Sequence, residues 1–173
     1  MNMTNTTELE PIVDKMDRRA ALVLGAAAAS VLADGTDASA QGAAGAMKSY
    51  NPVTVATPLG PYSHAIEVPP NARWLYIAGQ IGNALDGSML PDIDGQADQT
   101  WKNIEAILAA AGMGVENLVK CTHYLTRADD LAAYGKVRSR HLGDARPASI
   151  FVVVTALARP GILVEVEAVA AKA

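Results

Sequence analysis

The chain has 173 residues, half of them hydrophobic and 18% charged, which suits one domain with a well-filled core and excludes a disordered chain. A formal net charge of −4 offers no means of holding a phosphate backbone by charge, and the single cysteine, Cys121, excludes an intrachain disulfide. With aromatics at 5%, Val, Ala, Leu and Ile must fill most of the core.

The first forty residues read as an address. Arg18-Arg19 precedes small or apolar residues at 20–33, a polar break at Asp34-Gly35-Thr36-Asp37, and Ala38-Ser39-Ala40-Gln41. Paired arginines, a short apolar core and an A-x-A site make the three-part pattern of a secretory signal. The apolar core is too short to span a membrane, which takes roughly 20 residues. Its Ala/Gly content and long polar lead favour the twin-arginine route, so a periplasmic or exported location is expected. Cleavage after Ala40 leaves a flexible lead-in at 41–52 and a domain at 53–173, with 11 Lys+Arg against 12 Asp+Glu and a net charge of −1. The alternative is a tail on a cytoplasmic protein that starts at Met47.

Past the leader, Val53-Thr54-Val55 reads as a short extended piece stopped by Pro58. Residues 63–68 and 73–80 read as strands joined by the turn residues Pro69-Pro70-Asn71-Ala72, and 83–91 as loop. The period then changes. Ala97, Trp101, Ile104, Ile107, Leu108 and Ala111 recur at three- and four-residue steps, predicting a helix over 95–111 that Gly112 ends. Residues 118–126 predict a strand. Asp129-Asp130 opens a second helix that carries Leu131, Tyr134, Val137, Arg138 and Leu142 and closes at Gly143. Residues 148–157 and 163–170 predict two last strands, with Ala158-Arg159-Pro160-Gly161 as the turn of a hairpin. This order predicts an α+β fold, a mixed sheet with two helices on one face. The other face needs cover, and self-association is the expected source.

Four segments carry a resemblance: Gly60-Pro61-Tyr62-Ser63-His64-Ala65, Ile77-Ala78-Gly79-Gln80, Arg146-Pro147-Ala148, and Val164-Glu165-Val166-Glu167-Ala168-Val169-Ala170. In order and spacing they resemble the Rid (reactive intermediate deaminase, YjgF-type) family over roughly residues 47–172. The resemblance implies a chorismate-mutase-like fold and a homotrimer with clefts at subunit boundaries. It also implies hydrolysis of enamines and imines such as 2-aminoacrylate, releasing ammonia with no metal or organic cofactor.

Glu167 matches the family glutamate that handles a proton or positions water. Independently, Glu165 and Glu167 lie two apart on a strand, hence on one face about 7 Å apart, where paired carboxylates suit acid–base work. Tyr62 matches the tyrosine at the cleft mouth. Gly79 allows close backbone approach, and its N–H is a candidate substrate donor. His64 takes a position where the family has Gln or His, a candidate lining residue.

The family arginine that grips the substrate carboxylate falls at Ser149, its serine at Ala78, its cysteine at Phe151 and its asparagine at Gly135. Arg146, three residues from Ser149, belongs to the opposite strand face, and Arg159 sits in a turn. The pocket is therefore expected to lack a positive clamp and to take an altered small-molecule substrate. His64, His123 and His141 show no metal-ligand spacing, and Cys121 reads as a small core hydrophobe. Two other readings compete with a trimeric hydrolase: a non-catalytic small-molecule binder, and an endoribonuclease, which the near-neutral domain disfavours.

Overall fold

The computed structural model describes residues 45–173, so the leader and its cleavage point lie outside the described residues. Where a flexible lead-in was expected, Lys48–Tyr50 forms strand β1, paired antiparallel with β2, Ala65–Glu67. Tyr50 donates its hydroxyl to the Glu67 carboxylate across this pair, and Lys48 Nζ lies 4.7 Å from the Tyr50 ring centroid. Val53-Thr54-Val55 is not a strand. Pro52 and Pro58 flank it, and the Val55 N–H closes a turn onto the Pro52 carbonyl at 3.0 Å, leaving no ladder to join.

The main sheet contains β3 (Arg73–Ile81), β4 (Leu118–Leu125), β5 (Ala148–Val153) and β6 (Val164–Lys172), in the spatial order β3-β6-β4-β5. Helices α1 (Ile93–Ala110) and α2 (Leu131–Leu142) cover one face, as the periodicity requires. Asp92 caps α1 by accepting the Gly95 N–H at 2.8 Å, and Gly143, at φ 52°, ends α2 in a conformation other residues avoid. Ala97, Trp101, Ile104 and Leu108 of α1 meet Tyr134, Val137 and Leu142 of α2, all buried. Beneath them lie Cys121 and Leu125 of β4 and the alternate residues Val164, Val166, Ala168 and Ala170 of β6. Burying a single large side chain of this set stabilises the fold by about 1.5–3 kcal/mol.

The predicted hairpin does not form. β5 runs parallel to β4, and β6 lies between β4 and β3, antiparallel to both. The α2 crossover returns the chain in the same direction as β4, which places β5 on the sheet edge. The apolar alternation of β6 then suits the central slot, where every second side chain is buried. Gln96, fully buried in α1, fixes the connection into β6: it donates to Leu90 O (2.7 Å) and Gly161 O (2.8 Å) and accepts the Leu163 N–H (2.8 Å).

The opposite sheet face carries Trp74, Tyr76, Thr122, Tyr124, Ile150, Glu165 and Glu167. Trp74, Tyr76 and Ile150 are 47%, 77% and 51% exposed, an apolar surface with no cover in one protomer. Among the described residues, no helix is long and apolar enough to cross a membrane.

Candidate functional site

The named residues fall into two groups on opposite faces of the sheet. The first group surrounds a cavity of about 540 Å³ between the Leu59–Tyr62 loop, α2 and the edge strand β5. Tyr62, Ser149 and Phe151 line it together. Strand alternation explains the placement: Ser149 and Phe151 pair with Cys121 and His123, so they share the helix-covered side, and β5 being an edge strand leaves them half open. Phe151 stacks on the His123 ring at 4.4 Å between centroids, with Tyr134 edge-on at 6.0 Å.

The expectation of a pocket without a cation fails. Arg138 of α2, only 1% exposed, reaches the floor of this cavity and donates from Nη2 to Ser149 Oγ at 3.0 Å and from Nη1 to the Pro61 carbonyl at 3.2 Å. Its guanidinium carbon lies 5.5 Å from the Phe151 ring centroid. Arg138 was visible in the sequence as one member of the α2 stripe. An arginine at a core-facing position is the signal that could have singled it out, since long charged side chains are seldom fully buried without a purpose. Arg146, by contrast, turns to the Gly143 and Ala145 carbonyls, away from Ser149.

The electrostatics around Arg138 are one-sided. Burial, reinforced by the Arg138 charge, pushes the His123 imidazole down to about 3, so the ring stacked on Phe151 is neutral; its Nδ1 lies 2.6 Å from the Tyr134 hydroxyl. Burial pushes the Cys121 thiol up to about 12, which fits a packing residue and not a nucleophile. Burial also lowers Arg138 itself from the usual guanidinium value.

The second group lies on the open face. Glu167 is exposed beside Ala78 in a concavity of about 410 Å³ that Tyr76, Lys120 and Thr122 also line. The Tyr124 hydroxyl donates to Glu167 Oε1 at 3.4 Å. Desolvation first, then the charge and hydrogen bond of Glu167, raise the Tyr124 phenol and keep it a donor. Glu165 shares the face as predicted. A β-bulge between Ile77 and Gln80 brings Gly79 against it, so closely that a Cβ there would stand 1.9 Å from Glu165 Oε1.

Within one chain these groups do not meet. Glu167 pairs with Thr122, and Ser149 with Cys121, so β4 separates them and they point to opposite faces. His64 joins neither group: its Nε2 lies 2.8 Å from the Ala56 carbonyl and its N–H donates to Asn51, which ties down the 51–64 loop, although its ring stands edge-on to Tyr62 at 5.9 Å.

Known proteins match this chain over the same region. A family model described as Endoribonuclease L-PSP matches residues 53–172. A RutC family protein of Pyrococcus horikoshii is 38% identical over 66% of this chain and 90% of its own. A 2-iminobutanoate/2-iminopropanoate deaminase of Mus musculus is 36% identical over 65% and 82% respectively. A conserved Rid family protein of Yersinia pestis, YyfB, superposes with a TM-score of 0.65 at 30% identity, covering 72% of this chain and 97% of that one. With the family model spanning the sheet, both helices and both clusters, the chain belongs to the Rid (YjgF-type) family.

Proposed function

We propose that this protein is a cofactor-independent hydrolase that adds water to a reactive imine or enamine-like small molecule and releases ammonia, with Glu167 directing the water. The observation that carries this reading is the Glu167 carboxylate, solvent-accessible at the edge of a concavity and held by the Tyr124 hydroxyl, in a chain related to named imine deaminases. In the reaction, Glu167 accepts a proton from water as its oxygen bonds to the imine carbon. The same carboxyl returns the proton to nitrogen, giving a carbinolamine; it then carries the hydroxyl proton to the amine nitrogen as the C–N bond breaks, so that carbonyl and ammonia leave.

The working cleft is shared between copies in a homotrimer. One copy presents Tyr62, Ser149 and Phe151, with His64 behind them, and its neighbour presents Glu167, Ala78 and Gly79. Two facts support this: the groups lie back to back within one protomer, and the open face bears exposed Trp74, Tyr76 and Ile150. Ser149 in the slot of the family arginine alters the substrate that the cleft accepts. The test supplies imines freshly made by an amino-acid oxidase and measures ammonia release with and without the protein. Acceleration that Glu167→Gln abolishes supports the proposal; equal rates with and without protein, across acidic and neutral imines, remove it.

A second reading is a non-catalytic small-molecule binder, favoured by the missing polar groups at Ala78, Gly135 and Phe151. Thermal-shift binding without turnover is its signature. Endoribonuclease activity is disfavoured by the net charge of −1 from Gln41 onward, and RNA left intact by metal-free protein would close that option. Export through the twin-arginine route belongs to the same proposal, on the strength of Arg18-Arg19 and the A-x-A site; cell fractionation with an Arg18→Lys/Arg19→Lys variant tests it.

A further inference from the structure

The geometry points to the cavity between α2 and β5 as a site for an amphipathic monoanion, its charged head at Ser149 in the field of Arg138 and its bulky apolar body against Leu59, Leu131 and Phe151. This deepens the reading above by naming the ligand class of the cleft.

The first ground is a buried charge left uncompensated within one protomer. Arg138 is 1% exposed, yet among the described residues no carboxylate stands within 4.0 Å of it. Its two hydrogen-bond acceptors, Ser149 Oγ and the Pro61 carbonyl, are neutral, and its Nε has no partner among the described residues. A buried guanidinium with neutral partners is a costly arrangement that a bound anion relieves. Ser149 is placed to transmit that charge. It accepts from Arg138 and at present donates to the Pro147 carbonyl at 3.1 Å, so turning one hydroxyl proton toward the cavity gives an anion a donor already polarised by a cation.

The second ground is the lining. Leu59, Leu131 and Phe151 are 99%, 45% and 37% exposed, and all three border this one cavity. A single cation on an otherwise apolar floor fits a ligand with one charge and a hydrophobic body. The third ground is space. A Cβ built on Gly135 meets nothing within 4 Å, so the helix wall is open where a larger residue would narrow the cavity. The cavity volume of about 540 Å³ exceeds the needs of a two- or three-carbon acid.

Because Arg138 acts through Ser149, it is a positioning residue, and its test must read charge preference as well as stability. Calorimetry on the full chain with benzoate, its neutral isostere benzamide, and acetate provides that readout. Benzoate binding at least tenfold tighter than benzamide and acetate is expected. Ser149→Ala should reduce benzoate affinity several-fold, Arg138→Met should erase the preference over benzamide, and Gly135→Leu should weaken benzoate with acetate unaffected. Equal affinity for benzoate and benzamide overturns the inference, as does the absence of benzoate binding. If Arg138→Met does not fold, Ser149→Ala decides, and unchanged benzoate affinity in that variant overturns it. Benzoate is unreactive, so binding is scored independently of ammonia release: loss of turnover alone sinks the hydrolase reading and leaves this one standing.

Discussion

Glu167 and Arg138 differ in how a sequence exposes them. Glu167 sits in an alternating run whose partners Val164, Val166 and Ala168 are buried, so period-two reasoning alone puts its carboxylate on the open face. Glu167→Gln keeps the shape and the Tyr124 contact but removes the base. Imine hydrolysis should fall by about 10²- to 10⁴-fold with little change in thermal stability, and a rate within a few-fold of the parent would remove Glu167 from the chemistry. Arg138 was legible as a helix-stripe member but not as a cavity floor, because its approach to Ser149 depends on how α2 lies over the sheet, which no local spacing encodes. Its neighbour His123 carries a pH prediction. The folded-state value of about 3 lies below the ordinary 6.5, so the unfolded chain binds a proton that the native chain refuses. This stabilisation is complete above pH 6.5 and is lost as pH falls toward 3, at up to about 1.4 kcal/mol per unit. Urea denaturation at pH 7 and pH 5 should show it, with a shallower dependence in His123→Gln; identical slopes in the two proteins would remove His123 as the cause.

At the scale of elements, the helices were more legible than the strand order. Trp101, Ile104 and Leu108 announce α1 through a period that belongs to one segment, and Gly143 marks the end of α2. The last two strands were each located, but their pairing was misread. The Arg159-Pro160-Gly161 turn looks like a hairpin locally, whereas the pairing is decided by which strand leaves an edge free after α2 has placed β5 beside β4. The connection is then held by Gln96 across a sequence gap, and Gly82 is what lets α1 come close enough. A Cβ on Gly82 would stand 2.3 Å from the Gln96 Cα, a backbone atom that cannot swing away. Gly82→Ala should therefore destabilise the fold by about 1–3 kcal/mol in chemical denaturation, since helix and strand must part to admit one methyl. A loss below a few tenths of a kcal/mol would mean that α1 is free to slide and that Gln96 does not set its position.

For the molecule as a whole, the two clusters impose a geometric condition. Ser149 and Glu167 flank β4 on opposite faces of one rigid sheet, so no local motion unites them, and a cleft that uses both must be closed by another copy. The open face has the surface for this: Tyr76, 77% exposed, borders the Glu167 concavity, and Trp74 extends the patch along β3. Burying two aromatics of this size contributes several kcal/mol to association, enough for a single charge placed among them to tip the balance. If the proposed homotrimer forms through this face, Tyr76→Asp should yield single protomers in sedimentation velocity while circular dichroism stays native, because Tyr76 adds nothing to the protomer core. If the cleft is shared, ammonia release should disappear in the same variant although Glu167, Tyr62 and Ser149 are all intact. Full activity in a demonstrably single protomer would instead place the complete site within one chain, and the intersubunit arrangement would have to be abandoned.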